Sequence, residues 1–447
     1  MEANLALKVR SQRTLEKAWL AIQRNARTSK SEDTKNEIAT FAADLQNNIR
    51  RIKNHLQKRT FVFPPAKGLK IPKDKRDKTK FRPLVVAKVE SRIVQRAIHD
   101  VLTTVPGIQD YIRTPHSFGG IKKKDDDLSS VPAAIMAVLD AINNGAKYIV
   151  RSDITSFFTK ISKSSVTSII SGFVDDSEFM DLFTRSIAVE LENMAQLRKS
   201  AEAFPIQDIG VAQGNSLSPL LGNIILYEFD KELNKSTDVR CIRYIDDFII
   251  LAPDKSVAEN TYRKSLHILK GLRMEASSSK TKRSSVDAGF EFLGIELVPG
   301  YIRPAKKSRE RVVNSIEKAV SDSIKAFREY KNTGELDRSM SLITTLNKAS
   351  GIMQGWGKHY KFCNDTECLR HIDNNISLII KKYLAVYREI REKIPEHMRW
   401  KLLGIEAVSQ IERTPFSWPK LGNSSTLTTV STVDTLEYFD PSSVPWK

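Results

Sequence analysis

Cysteine is scarce in this chain of 447 residues, which contains only three. Cys241, Cys363 and Cys368 are too few for a disulfide framework, and their scarcity favours a reducing compartment. Long apolar runs are also missing, since the run from Phe248 to Ala252 has only the length of a strand. The first ten residues contain no apolar segment typical of a secretory signal. We therefore expect a cytoplasmic protein that does not enter a membrane.

Acidic residues are outnumbered by basic ones. The chain has 71 Lys and Arg against 53 Asp and Glu, a formal net charge of +18 and a sequence pI near 9.6. An excess of this size suggests a polyanionic partner, with nucleic acid as the first candidate, although basic charge alone does not identify an enzyme. The 40% hydrophobic content is ordinary for a soluble protein, and the length allows several subdomains.

Hydrophobic periodicity divides the chain into regions of different structure. Residues 1–60 and 306–400 have apolar positions at helical spacing, whereas 146–300 mixes strand-like and helical segments. Eight of the sixteen residues from Lys67 to Arg82 are basic, and this stretch predicts a β-hairpin with its loop near Asp74 to Lys78. Phe290 to Leu297 predicts one short strand. The order of these regions indicates an α+β fold with a helical C-terminal domain.

Three aspartates form the strongest candidate for a catalytic site. Asp153 follows the strand-like segment that begins at Tyr148, and Asp246-Asp247 separate two apolar runs in a hairpin pattern. Nucleotidyl transfer requires two divalent cations held by carboxylates from rigid elements, and this set supplies them. The competing interpretation is that the aspartate pair is a solvated turn, which is the commoner role of such a pair by itself.

Several segments around these aspartates resemble the motifs of reverse transcriptases and occur in that family's order. The sequence Arg243 to Phe248 (RYIDDF) resembles the Tyr-x-Asp-Asp box, and Ser152 to Phe158 (SDITSFF) resembles the first aspartate motif. The other segments that carry the resemblance are Gly210–Asn223 (GVAQGNSLSPLLGN), Lys80–Leu84 (KFRPL), Ser91–Gln95 (SRIVQ), Lys280-Thr281, Phe292–Gly294 (FLG) and Gly355–Tyr360 (GWGKHY). One such motif would be weak, but an ordered set is specific.

The resemblance implies a right-hand polymerase fold of the α+β class, with fingers, a palm built on an antiparallel sheet, and a helical thumb. We expect N-terminal helices and fingers in residues 1–145, the catalytic palm in 146–300, the thumb in 301–400 and a C-terminal extension in 401–447.

The resemblance also implies a metal site. Asp153, Asp246 and Asp247 would be the catalytic carboxylates, and the carbonyl of Ile154 would complete the coordination of two Mg²⁺ ions, with Mn²⁺ as a substitute.

Further roles follow from matching positions in the family's motifs. The nucleotide-binding residues would be Lys80, Arg82, Phe158, Gln213 and Lys280, and the primer grip would be Phe292, Leu293 and Gly294. Phe158 would act as a steric gate against the ribose 2′-OH, with core packing as its alternative role. Lys280 would donate a proton to pyrophosphate, with a solvated loop lysine as the alternative.

The expected function is RNA-directed DNA synthesis, with an RNA template, dNTPs and a DNA product. A homo-oligomer is a possible assembly that the sequence leaves open.

The usual acidic position of one fingers motif is occupied by Ser91, after Glu90. Residues 401–447 resemble no DNA-binding or endonuclease module. These departures favour a stand-alone reverse transcriptase of anti-phage defence that copies a dedicated, structured non-coding RNA. The alternatives are a group II intron maturase without an endonuclease domain and an inert RNA-binding scaffold.

Overall fold

The computed structural model describes residues 4–29, 31–73, 77, 80–120, 128, 130–406, 408, 411–416 and 418. The chain divides into two compact units, Met1–Ile302 and Arg303–Lys447. Each unit has its own buried core, and each is described separately below.

The first unit contains thirteen α-helices among its described residues. They are α1 (Leu5–Val9), α2 (Gln12–Ala26), α3 (Glu32–Ala43), α4 (Leu45–Gln57), α5 (Val89–Leu102), α6 (Pro106–Ile112), α7 (Ser130–Asn143), α8 (Lys163–Ser171), α9 (Ser177–Ile187), α10 (Met194–Leu197), α11 (Ser218–Ile225), α12 (Tyr227–Leu233) and α13 (Lys255–Gly271). Short 3-10 helices cover Phe157–Thr159 and Arg198–Ala203.

The N-terminal helices form because apolar residues recur on one face and polar residues cap the ends. In α2, Leu15 and Trp19 are buried, and the Ser11 hydroxyl accepts a hydrogen bond from the backbone N–H of Thr14. Helix α2 packs against α5, whose buried face includes Ile93 and Ile98. The predicted helices of residues 1–60 are therefore confirmed for the described part of that range.

The basic hairpin is also present. Strands β1 (Lys67–Pro72) and β2 (Phe81–Val86) are antiparallel, with Lys67 opposite Val86. The side chain of Asn193 holds β1, since its amide both accepts from Gly68 N at 2.8 Å and donates to Gly68 O at 2.9 Å. The loop predicted near Asp74 to Lys78 lies mostly outside the described residues.

A four-stranded antiparallel sheet forms the centre of the first unit. Its strands are β3 (Tyr148–Asp153), β4 (Arg240–Tyr244), β5 (Asp247–Ala252) and β6 (Lys282–Ser285), in the order β4-β5-β3-β6. After Asp247, every residue of β5 is buried, and each large aliphatic side chain there stabilises the fold by about 1.5–3 kcal/mol. Helices α7 and α13 pack against this sheet, which fixes the ends of β3 and β5.

A second, smaller sheet follows in the order β7-β8-β9, with strands β7 (Phe290–Phe292), β8 (Ile295–Val298) and β9 (Tyr301–Pro304). The prediction of a single strand over Phe290 to Leu297 was wrong, because two strands are joined there by a tight turn. Leu293 and Gly294 both have positive φ angles, 51° and 76°, as a two-residue hairpin turn of this kind requires.

The second unit is helical in its described residues. Its α-helices are α14 (Lys306–Thr333), α15 (Leu342–His359), α16 (Thr366–Glu392) and α17 (Arg399–Leu403), with 3-10 turns at Arg338–Met340 and Glu396–Met398. One core cluster includes Phe327 and Tyr383. None of the described helices is long and apolar enough to cross a membrane. The prediction of an α+β fold with an antiparallel sheet and a helical C-terminal region is confirmed, whereas the four-part division of the chain remains a prediction.

Candidate active site

Asp153, Asp246 and Asp247 meet at one end of the four-stranded sheet. Strands β3 and β5 pair so that Asp153 lies directly opposite Asp247. Asp246 lies in the turn between β4 and β5, and its carbonyl accepts a hydrogen bond from the Ile154 N–H at 3.0 Å. Backbone pairing therefore brings together carboxylates that are more than ninety positions apart in the sequence.

The backbone that follows Asp153 is held from its other side as well. The carbonyl of Asp153 accepts from Ser277 N at 2.7 Å, and Thr155 N donates to Glu275 O at 2.8 Å. Ile154 itself is fully buried between these contacts. Its backbone thus lies beside the aspartates, while the predicted role of its carbonyl as a metal ligand remains a prediction.

The surroundings of Asp246 and Asp247 raise the pKa of both carboxyl groups. Asp153 is only 7% exposed, and Asp246 and Asp247 are half-buried. Burial, followed by the charges of Asp153 and Asp247, raises the pKa of Asp246 to about 6. Burial and the Asp153 charge also raise the pKa of Asp247. The site therefore disfavours the ionised forms of Asp246 and Asp247 when no cation is bound.

Lys280 forms an ion pair with the first of the three aspartates. Its ammonium Nζ lies 2.5 Å from Asp153 Oδ2, and its side chain is 64% exposed. Among the described residues, no three His, Cys, Asp or Glu side chains are arranged so that they could coordinate one metal ion without moving. The chemistry of the three carboxylates nevertheless fits a hard divalent cation, because carboxylate oxygens are the ligands that Mg²⁺ prefers. A bound cation would also relieve the repulsion between the carboxylates. An exposed lysine is a weak competitor for such a position.

The two rings after the first aspartate have different environments. Phe157 is buried, and a side chain on Gly222 would collide with its ring. Phe158 is only partly buried, and its ring centre lies 5.2 Å from that of Phe157. Phe157 therefore packs in the core. Phe158, in contrast, has part of its ring exposed, a few residues after the strand that ends at Asp153. Its predicted role as the steric gate remains a prediction that this arrangement permits.

Gln213 lies beside the basic hairpin. Its carbonyl accepts from Val85 N at 3.0 Å, which joins the Gln213 segment to β2. Gly214, with φ +109°, passes close to the Val85 carbonyl, where a Cβ would lie only 2.9 Å from that oxygen. Arg82 and Lys80 are exposed on the same hairpin, and Lys80 forms a 3.4 Å ion pair with Asp77.

The predicted primer grip lies at the turn between β7 and β8. Phe292 is fully buried, whereas Leu293 and Gly294 are partly exposed at the turn. A hydrogen bond from the Arg151 guanidinium to the Glu291 carbonyl ties β7 to β3, the strand that ends at Asp153. Contact of this turn with a primer remains a prediction.

Sequence reasoning missed the charged pair behind the aspartate turn. Arg243 and Asp230 are almost completely buried, and the guanidinium donates to both carboxylate oxygens at 2.7 and 2.5 Å. Asp230 lies on α12 in a helical pattern that carries no sign of burial. The only available signal was the position of Arg243 immediately before the Tyr-x-Asp-Asp box.

The sequence model of the family described as "Reverse transcriptase (RNA-dependent DNA polymerase)" matches residues 71–297, about half of the chain. The match includes all three aspartates, the sheet that holds them and most of the basic hairpin. The chain belongs to the reverse transcriptase family. By family it is an RNA-directed DNA polymerase, which confirms the predicted enzyme class and the polymerase type of the fold.

Two curated bacterial proteins extend the similarity. Protein YkfC of Escherichia coli (strain K12) is 25% identical over 286 residues, which cover 56% of this chain and 71% of that protein. Group II intron-encoded protein LtrA of Lactococcus lactis subsp. cremoris is 26% identical over 405 residues, 84% of this chain. The chain spans 63% of the length of LtrA.

A solved structure of apo telomerase from Candida tropicalis, truncated from the C-terminal domain, is also similar. Its sequence identity is 15%, its TM-score is 0.37, and the match covers 54% of this chain and 55% of that one. A likeness this low carries no structural conclusion.

Proposed function

We propose that the site formed by Asp153, Asp246 and Asp247 catalyses RNA-templated DNA synthesis, in which a primer 3′-OH attacks an incoming dNTP. The observation that carries this proposal is the pairing of Asp153 opposite Asp247, with Asp246 in the adjoining turn. A solvated turn, the competing interpretation, does not explain why the carboxylates are partly buried with raised pKa values.

The three aspartates, with the Ile154 carbonyl, would hold two Mg²⁺ ions or Mn²⁺ in their place. When bound, such ions lower the pKa of the attacking hydroxyl and neutralise the triphosphate. Lys280 would leave Asp153 and use its ammonium group to protonate the departing pyrophosphate, since its exposed side chain can reorient at little cost.

The remaining predicted residues would bind the nucleotide and the primer. Arg82, with Lys80, would hold triphosphate oxygens, because an exposed guanidinium can donate two parallel hydrogen bonds to them. Phe158 would exclude a 2′-OH, and Gln213 would line the nucleotide pocket. Leu293 and Gly294, above the buried Phe292, would support the primer end.

We further propose that the template is a dedicated, structured non-coding RNA, that the DNA product serves anti-phage defence, and that the enzyme works in the cytoplasm. The net charge of +18 supports an RNA partner. The substitution at Ser91 supports a divergence from intron enzymes. A homo-oligomer assembled with the RNA is part of this proposal.

The test is to purify the protein with the nucleic acid that it carries, sequence that nucleic acid, and then supply Mg²⁺ and dNTPs. The proposal predicts a discrete RNA and DNA complementary to it. An Asp246→Ala/Asp247→Ala variant should bind the same RNA and make no DNA, whereas Asp175→Ala, a change at an exposed aspartate, should behave as the unmodified protein. Bound RNA without DNA synthesis by the unmodified protein would contradict the proposal.

The second candidate function is that of a group II intron maturase. It is favoured by the alignment with LtrA, which covers 84% of this chain and so extends beyond the family match. A maturase predicts that the co-purified RNA is the intron that surrounds the gene, and that intron splicing persists in the Asp246→Ala/Asp247→Ala variant. A non-coding RNA unrelated to an intron would exclude this candidate.

A further inference from the structure

The guanidinium of Arg243 lies directly behind the turn that carries Asp246. Arg243 is 0% exposed and its partner Asp230 is 1% exposed, so this ion pair is buried in the protein interior. Arg243 Nε donates to Asp230 Oδ1 at 2.7 Å, and Nη2 donates to Asp230 Oδ2 at 2.5 Å. This geometry is the two-pronged pairing that a guanidinium makes with a carboxylate.

The other N–H groups of Arg243 are also used. Nη1 donates to the Ile245 carbonyl at 2.9 Å and to Asn223 Oδ1 at 3.0 Å, and Nη2 donates to the Ser117 hydroxyl at 2.9 Å. A guanidinium has five N–H donors, so every one of them has an acceptor. A lysine at this position would offer a single point of charge and could not reach all of these acceptors.

The acceptor that matters for the site is the Ile245 carbonyl, because Ile245 immediately precedes Asp246. Ile245 has a φ of +60°, a conformation that a β-branched residue rarely adopts. Such a backbone persists only when its surroundings hold it in place. Arg243 holds it from within the core, while Gly119 approaches from the other side so closely that a Cβ there would lie 2.5 Å from Ile245 Cγ1.

The segment before Gly119 strengthens this arrangement. Arg243 N donates to His116 O at 2.8 Å, and Phe118 N donates to Arg243 O at 3.0 Å. Asn223, from α11, donates its amide to Gly119 O at 2.8 Å while it also accepts from Arg243. Two helices and one loop thus meet at the guanidinium, and the turn between β4 and β5 is held by all of them.

A buried ion pair is seldom more stabilising than well-packed apolar residues of the same volume. The stability of the core therefore does not by itself explain a fully bonded charged pair at this position. We infer that Arg243 is a positioning residue, which fixes the Ile245 carbonyl and so sets the direction in which Asp246 and Asp247 present their carboxylates to the metal ions. This inference rests on the proposed metal-dependent function.

The test compares full-length Arg243→Lys and Ser117→Ala variants with Leu15→Ala, a change in the core of α2 far along the chain from the site. Mn²⁺ binding to the nucleic-acid-free protein is measured by electron paramagnetic resonance, separately from DNA synthesis. Arg243→Lys should weaken Mn²⁺ binding roughly 10- to 100-fold. It should lower kcat while the KM for dNTP stays within about twofold, and a higher Mg²⁺ concentration should restore part of the rate.

Ser117→Ala removes one acceptor and keeps the ion pair, so it should weaken Mn²⁺ binding by a smaller factor, and it carries the test if Arg243→Lys does not fold. Leu15→Ala should lower the melting temperature with no change in Mn²⁺ affinity. Unchanged Mn²⁺ affinity in the folded Arg243→Lys variant, or in Ser117→Ala if Arg243→Lys does not fold, would overturn the inference. Failure of the unmodified protein to make aspartate-dependent DNA would instead overturn the proposed function, and the two failures are therefore distinguishable.

Discussion

Two β-hairpins of this chain carry charges of opposite sign at their functional positions and differ in how they hold the charged residues. The β4–β5 hairpin presents Asp246 and Asp247 from a turn that is anchored in the core by hydrogen bonds to Arg243. The β1–β2 hairpin is anchored through Asn193 at β1 and through Gln213 at β2, but its Arg82 and Lys80 side chains are exposed to water. Carboxylates that share metal ions must be held in fixed directions, whereas cations that contact phosphates act over a wider range of positions.

We call β4–β5 the acidic hairpin. The difference predicts that single substitutions in the acidic hairpin have large effects on activity and that those in the basic hairpin, β1–β2, have smaller ones. The largest effect should come from Asp246→Asn. Loss of a metal ligand should lower kcat by at least about a thousandfold, because bound ions contribute several kcal/mol of charge stabilisation. RNA binding should persist. Primer-extension kinetics on a defined RNA template measure the change, with Asp175→Asn as the control, and a loss below tenfold would contradict the assignment.

In the basic hairpin, Arg82→Ala should raise the KM for dNTP by about 10- to 100-fold, the value of a charge-assisted pair of hydrogen bonds. Arg82→Lys should recover only part of the loss, since an ammonium cannot make two parallel bonds. Steady-state kinetics with varied dNTP check this, and Arg13→Ala serves as the control on an exposed arginine of α2. An unchanged KM would remove Arg82 from the nucleotide site.

Asp246 in the acidic hairpin should also lower the free energy of unfolding of the metal-free protein near neutral pH. The folded-state pKa of Asp246, about 6, exceeds the value of about 4 in an unfolded chain, so the folded protein binds more protons between these values. The contribution of Asp246 to the free energy of unfolding is most favourable below about pH 4 and is lost as the pH rises through 6. Asp246→Asn should therefore stabilise the metal-free protein at pH 7.5 by roughly 1–3 kcal/mol, with no gain near pH 4.

Urea unfolding at both pH values in the presence of a chelator measures this difference. A variant that is less stable than the unmodified protein at pH 7.5 would contradict the idea that burial and the neighbouring carboxylates destabilise the ionised form of Asp246 in the metal-free protein.

Phe158, on neither hairpin, gives a further prediction. Phe158→Ala should lower the preference for dNTP over rNTP by about tenfold or more, because the partly exposed ring would no longer exclude the 2′-OH. The matched control is Phe157→Leu, which alters the buried ring and should reduce stability without a change in sugar preference. Competition between dNTP and rNTP in single-nucleotide extension decides the point. An equal preference in the Phe158 variant and the unmodified protein would leave Phe158 with a packing role only.

The smallest effect should come from single lysines of the basic hairpin. Lys70→Ala or Lys73→Ala should weaken RNA binding and reduce the slope of log affinity against log salt by about one if each contacts a phosphate. Lys270→Ala, at an exposed position of α13, should leave the slope unchanged. Filter binding across a range of salt concentrations measures this, and identical slopes for the three variants would exclude a phosphate contact for Lys70 and Lys73.

The sequence predicted the elements of the site better than their mutual arrangement. Alternation and turn position were enough to predict Asp153 at a strand end and Asp246-Asp247 at a hairpin. That Asp153 lies opposite Asp247 is a property of long-range pairing, which no local pattern contains. The turn at Leu293–Gly294 was missed because a leucine seldom adopts a positive φ, so the segment resembled one continuous strand.

The burial of Arg243 was missed for a related reason. A charged residue in a strand is ordinarily expected at the surface, and its partner Asp230 comes from a helix that shows no unusual feature in the sequence. Only the fold brings the acceptors of α11, α12 and the Ser117 loop around one guanidinium.

The most direct test of the proposed active site is to locate the metal ions by anomalous scattering in crystals of the protein with an RNA template, a 3′-dideoxy-terminated primer, a dNTP and Mn²⁺. We expect Mn²⁺ bound by carboxylate oxygens of Asp153 and Asp246, with the Lys280 ammonium moved away from Asp153. Mn²⁺ bound elsewhere, with the bond between Lys280 and Asp153 intact, would contradict the assignment of the active site.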